Sequence, residues 1–304
     1  MVAPGNSHVK EGEGGLWTPG HGAILPGATI DEVTKSYVLF LEVRHPDHHK
    51  QFRARLAADP DAAKAEAVIF SWFRRQRLEP QVGESPAEGG ADFLCVPESK
   101  QSLLVEVTAL NREAVERRSG WPDELSTRAH SFGMITRNLW SKARAKATQL
   151  AEADVPRVLV VCLTHIGASA LVGTLAAEWL MVSEPKIEVP LAERGELAPS
   201  RSVTDLKNAA FFRQEGDRII PVRRSISGIL LIALWGDQME AVGLLHPDPA
   251  VPLDYTIFGD VPFLRVEWPI LGGRIRAEWI VGHPNPSRSY HSTVTLTNAE
   301  LRGQ

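Results

Sequence analysis

Apolar positions along the chain fall into runs of distinct period, and each period predicts an element. RVLVVCLTH at 157–165 is apolar without interruption, as a central strand covered on both faces must be. ISGILLIALW at 226–235 reads as another buried strand. Earlier, SLLVEVTAL at 102–110, ADFLCV at 91–96 and LEPQVGES before them predict three strands. The short loops between these strands contain Gly or Pro, as a meander requires. Helical spacing appears from about Pro60 to Arg77, from about Asn138 to Ala153, and over 170–182. SYVLFLEV, from Ser36 to Val43, reads as a buried strand or short apolar element. Residues 1–30 are rich in Gly and Pro and predict an irregular arm, and 111–137 is polar without clear periodicity. Residues 239–281 alternate short strands with Pro-rich turns, and the final twenty are polar and expected at the periphery.

The order helix, three strands, helix, strand predicts an α/β fold with a central mixed sheet flanked by helices. At 304 residues we expect one large core with elaborations. Residues 1–50 would be the arm and one strand, 51–170 the core, and 171–304 a C-terminal α/β extension packed on it. Composition changes little: 43% hydrophobic and 23% charged residues are ordinary for a globular chain. Cys95 and Cys162 both lie in strand-like runs, so they read as buried small hydrophobes in a reducing compartment. With no apolar stretch of membrane length and no signal-like start, a cytoplasmic protein without membrane contact is expected. A net charge of −4 offers no global attraction to nucleic acid, so any such partner would need a local basic face.

Charged residues inside the apolar pattern are the candidate chemistry. Glu106 sits mid-strand, and a buried carboxylate there costs several kcal/mol unless paired. Asp92 opens the next strand over, just after Gly89, Gly90 and Ala91, where an antiparallel neighbour could bring it beside Glu106. Two adjacent carboxylates repel and persist mainly where a cation holds them. Glu66 shares a helix face with Ile69, Phe70 and Phe73, the face expected to pack on the sheet. Lys142, Lys146 and Gln149 form one face of the later helix, bordering Leu139, Ala143, Ala147 and Leu150. Each of these residues taken singly also has a plain reading as a solvated or salt-bridged side chain.

Together, Glu66 in KAEAVIF, Asp92 in GGADFLC, Glu106 in LLVEVTAL and the helix SKARAKATQL before RVLVVCLT resemble the PD-(D/E)xK nuclease superfamily. The resemblance covers roughly residues 60–165 and implies a restriction-endonuclease-like core. Thr108 stands where the superfamily has its motif lysine, and some members carry that lysine on the following helix, where Lys142 or Lys146 stand here. Ala91 replaces the motif proline.

The resemblance implies Mg²⁺-dependent hydrolysis of nucleic acid, DNA before RNA, with Mn²⁺ as substitute. Asp92 and Glu106 would hold the ion with the carbonyl of Val107, and Glu66 would bind a second ion or orient water. Lys142 or Lys146 would stabilise developing charge, and Gln149 would orient water or phosphate. Thr108, whose hydroxyl can bond metal-bound water, and Arg112, Arg117, Arg118 and Arg137 beside the cleft are the expected substrate contacts. A homodimer is compatible with all of this. The alternative within the same fold is an inactive protein that binds nucleic acid or a protein partner. A zinc hydrolase on His45, Asp47, His48 and His49 is a third reading, weakened because adjacent histidines on regular structure diverge. Neither a G-x-S-x-G elbow nor a phosphate-binding P-loop is present.

Overall fold

The computed structural model describes residues 20–23, 28–83, 91–98, 101–110, 112–119, 141, 154–164, 174–183, 186–188, 201–204, 206–216, 218–235, 238–270, 274–281 and 291–296. The N-terminal half contains β1 (Gly20–Ala23), α1 (Ile30–Arg44), α2 (Pro46–Ala58), α3 (Pro60–Arg75), β2 (Pro80–Val82), β3 (Phe93–Cys95), β4 (Leu103–Leu110) and α4 (Arg112–Ser119). After these come β5 (Arg157–Leu163), α5 (Thr174–Val182), β6 (Lys186–Glu188), β7 (Arg201–Thr204), β8 (Phe212–Glu215) and β9 (Arg218–Pro221). The chain continues with β10 (Gly228–Trp235), β11 (Gln238–Leu245), β12 (Pro262–Val266), β13 (Arg274–Val281) and β14 (His291–Leu296).

Among the described residues, twelve strands join one mixed sheet in the order β2-β3-β4-β5-β10-β11-β12-β13-β14-β7-β6, with β1 on β11. The expected meander and central strand are therefore neighbours: β3 and β4 pair antiparallel, β4 and β5 parallel. β5 shows why its sequence is continuously apolar. Val158, Val160 and Cys162 enter the core beneath α1, α2 and α3, while Leu159, Val161 and Leu163 enter the core beneath α5. Both faces are dry from Val158 to Leu163, and Arg157 opens the strand at its end.

Four expectations are corrected. The run from Ser36 to Val43 is helical, not a strand. Thr29 and Glu32 form a capping box at the start of α1, and Val33, Tyr37 and Leu41 recur every four residues on its buried face. The outward Leu39 and Val43 had disguised that period as a continuous run. Second, the N-terminal arm is not wholly irregular, since β1 pairs antiparallel with β11 from Gly20 opposite Ala241. Third, 112–119 is a helix, with Asp61 of α3 accepting the backbone N–H of Arg112 at its first turn. Fourth, the last twenty residues include β14, which joins the sheet between β13 and β7. The C-terminal half is also no addition beside a finished core, because β10 pairs along β5 from Gly228 opposite Val158 and sits mid-sheet. Such distant pairing leaves no local signature. The predicted helix over 138–153 lies outside the described residues apart from Ser141.

α3 is buried on several sides because it lies between α1 and α2 above and β4 below. Asp59 caps it by accepting from the N–H of Ala62, and Pro60 opens its first turn. Phe70 of α3 touches Tyr37 of α1 at 4.7 Å and Phe93 of β3 at 5.7 Å between ring centres. Tyr37 meets Phe52 of α2 edge-on at 5.0 Å. These rings clamp the three helices and fix where their polar side chains emerge. Among the described residues, no helix is long and apolar enough to cross a membrane. Burial pushes the Cys95 thiol up to about 12 and raises that of Cys162 as well, so both remain protonated.

Two positions set stability. Gly243 of β11 lies opposite Phe263, and a Cβ there would fall 2.2 Å from the Phe263 ring. Phe263 is fully buried against Phe258 and Tyr255, so its ring cannot easily yield. Gly243→Ala is expected to destabilise the fold by about 1–3 kcal/mol, the usual range for overpacking, read as a lowered urea midpoint at unchanged slope.

His246, following β11, stacks 4.5 Å from Phe211. Its Nε2 bonds the carbonyl of Val222 at 2.8 Å and its Nδ1 accepts the N–H of Asp248 at 3.0 Å, an arrangement that requires the neutral ring. Desolvation carries its pKa down from 6.5 to about 4. The unfolded chain therefore takes up this proton first as pH falls. Stability is fully present above pH 6.5 and is lost progressively toward pH 4, by about 3 kcal/mol in all. Urea unfolding between pH 7.5 and 4.5 should show this slope in the wild type and a much flatter one in His246→Asn.

Candidate active site

β3 pairs β4 with Phe93 opposite Val105, Leu94 opposite Leu104 and Cys95 opposite Leu103. Asp92 immediately precedes β3, one residue beyond the last paired position, Phe93 opposite Val105. The N–H of Leu104 bonds Pro156 just before β5, so even-numbered residues of β4 direct their backbone groups toward β5 and odd-numbered ones toward β3. Asp92 therefore lies level with the Glu106–Val107 stretch of β4. The N–H of Val107 donates to Asp92 Oδ2 at 2.6 Å. Since one residue's N–H and C=O share an edge of a strand, the Val107 carbonyl is directed to the same side.

Asp92 and Glu106 are buried, at 8% and 7% exposure. Val105 and Ala109 belong to the core under α1–α3, while Leu110 belongs to the core under α5. By strand alternation, Glu106 and the buried Thr108 face the α5 side. Glu66 arrives from the opposite face, on α3, and is 3% exposed. The connection between the faces runs around the open end of β3, through Asp92.

Arg55 of α2 makes that connection. Its Nη2 donates to Glu66 Oε2, and its Nη1 lies 3.9 Å from Asp92 Oδ1. The Tyr37 hydroxyl donates to Glu66 Oε1 at 2.9 Å, and His48 Nε2 stands 3.5 Å from the same oxygen. Arg55 also lies over the Phe52 ring, 5.8 Å from its centre. Each helix of the N-terminal layer therefore gives a side chain to one buried carboxylate.

The expected second metal role of Glu66 is corrected by this geometry: both of its oxygens are engaged by Tyr37, Arg55 and His48. Among the described residues no group of three His, Cys, Asp or Glu side chains stands close enough to hold an ion, so the three acids do not form one cage. The zinc reading falls to the same observation. Asp47 pairs with Lys50 at the surface, His48 turns inward to Glu66, and the ring of His45 packs on Phe40.

Arg112 is at ion-pair distance from Asp61, and Arg117 is an exposed partner of Glu113 one turn away, so neither is drawn toward Asp92 in this arrangement. The side chain of Arg118, and all of Arg128, Arg137, Lys142, Lys146 and Gln149, lie outside the described residues.

Arg55 and Tyr37 escaped the sequence reading, and His48 entered it only within the histidine-rich cluster. His48, Phe52 and Arg55 stand at i, i+4 and i+7 and share a face once Pro46 is recognised as the first residue of a helix. Breaking a buried ion pair by removing one partner costs about 3–5 kcal/mol, reduced here because Arg55 is 33% exposed. Arg55→Met is expected to destabilise the protein by roughly 2 kcal/mol, and adding Glu66→Gln should restore much of it. Additive losses in a double-mutant cycle of chemical unfolding would show that the two side chains are not coupled.

Comparisons with protein-family models, with curated proteins and with solved structures find no match to this chain.

Proposed function

We propose that this protein is a divalent-metal-dependent nuclease of restriction-endonuclease-like type, acting on nucleic acid, DNA before RNA. The observation that carries the reading is the buried Asp92 at the start of β3, bonded to the Val107 N–H next to the buried Glu106 of β4. Two carboxylates and a carbonyl are a donor set suited to Mg²⁺, which keeps several waters and takes substrate phosphate as a further ligand. The residues therefore fit the ion, and Mn²⁺ would substitute. Bound there, the metal would supply charge neutralisation and a more acidic water.

The chain's own residues would do the rest. Asp92 is held by the Val107 N–H, so its carboxylate has one orientation. Thr108 lies on the face of Glu106, where a hydroxyl can bond metal-bound water. In the hydrolysis, the water oxygen forms a new bond to phosphorus while one ester P–O bond breaks. The electron pair of that bond leaves with the alcohol oxygen, which gains a proton as water loses one, without redox change.

Thr108 at the lysine position favours a second reading, an inactive protein of the same type that binds nucleic acid or a protein partner. One experiment separates them. The full chain is incubated with labelled duplex DNA, single-stranded DNA and RNA in Mg²⁺, Mn²⁺ or EDTA. Cleavage that needs the metal and falls to background in Asp92→Asn and Glu106→Gln is expected. Binding without cleavage in either metal decides for the inactive protein.

A further inference from the structure

We infer that Arg55 is the phosphate-contacting cation of this site, taking the part for which position 108 holds no lysine. This rests on the nuclease reading above and assigns a residue that reading leaves open. Phosphoryl transfer spreads negative charge over the phosphate oxygens, and a fixed positive donor beside the metal stabilises it. Thr108 has no charge to offer, so the donor must come from another element.

The geometry of Arg55 suits it to this part. A guanidinium carries five N–H donors in a rigid fork, so one carboxylate cannot use them all. Nη2 is committed to Glu66, whereas Nη1 is 3.9 Å from Asp92, beyond hydrogen-bond length. Nε is buried and makes no hydrogen bond. Nη1 therefore remains for an arriving oxygen. At 33% side-chain exposure, against 3% for Glu66, 7% for His48 and 10% for Asp92, Arg55 is the member of the cluster that solvent and substrate can reach.

Its support is fixed as well. Glu66 anchors one arm, and the Phe52 ring lies beneath the guanidinium. Glu66 is in turn oriented by Tyr37 and His48. Glu66 becomes a positioning residue that acts through Arg55, which explains an acid on the packed face of α3 that binds no metal. Among the described residues, the other arginines of the expected substrate surface are engaged elsewhere, Arg112 with Asp61 and Arg117 with Glu113.

The test measures Mn²⁺ binding and duplex DNA cleavage on the same samples of full-length wild type, Arg55→Gln, Arg55→Lys, Asp92→Asn, Lys142→Ala and Lys146→Ala. Thermal unfolding of each, and assay well below its midpoint, keeps folding apart from chemistry. Arg55→Gln is expected to lower turnover about a hundredfold, the scale of losing one transition-state donor, with Mn²⁺ affinity kept. Arg55→Lys should recover part of the turnover, and Asp92→Asn should lose both metal and cleavage. Full turnover in Arg55→Gln, or a comparable loss confined to Lys142→Ala or Lys146→Ala, overturns the assignment while the nuclease reading stands. A loss in Arg55→Gln explained entirely by weaker Mn²⁺ binding overturns it too, because Arg55 would then serve the metal. A wild type that neither binds Mn²⁺ nor cleaves in any metal overturns the nuclease reading itself, and the assignment of Arg55 with it.

Discussion

The carboxylate of Glu66 lies inside a helical layer at 3% exposure, and an ionised carboxylate in that position persists only with hydrogen bonds and a cation around it. That constraint organises the N-terminal half of the molecule. It draws Tyr37 from α1 and both His48 and Arg55 from α2, so the three helices share a polar centre as well as an aromatic one. Through Arg55 it reaches Asp92 at the open end of β3, and through Asp92 the backbone of β4. The helical layer and the sheet are thus tied at one polar seam.

Burying a charge in this way gives specificity more readily than stability. An apolar replacement of the whole network would pack as well or better, whereas loss of one member leaves a charge stranded. A network costly to leave incomplete pins the relative rotation of α1, α2 and α3, and with it the direction of the Arg55 guanidinium. Proteins keep such arrangements where orientation matters. Here the oriented group borders the Asp92–Glu106 position, which is the physical reason to read the layer as support for a site.

The rest of the sheet supplies rigidity. β5 and β10 are covered on both faces, and Glu106 is carried on the strand that pairs along β5 through its whole length. A carboxylate mounted on a fully paired strand moves little. Asp92, by contrast, precedes β3 and is held by the N–H of Val107.

Period and local chemistry were enough to read much of this from the amino-acid sequence. The β2–β3–β4 meander, the continuously buried β5 and β10, and helix α3 all follow from spacing, because strand alternation and hairpin length leave few registers. The Ser36–Val43 run was misread because outward apolar residues hid a helical period, and Arg55 was missed because α2 has little amphipathic pattern to announce it. Only the tertiary structure decided that Glu66 meets Arg55, since that depends on how α2 lies across α3. The same holds for the central place of β10 and β11 and the return of β14 to the sheet. Local sequence determines which face of an element is buried; which distant element comes to lie against that face is set by long-range packing, for which no spacing along the chain is a guide.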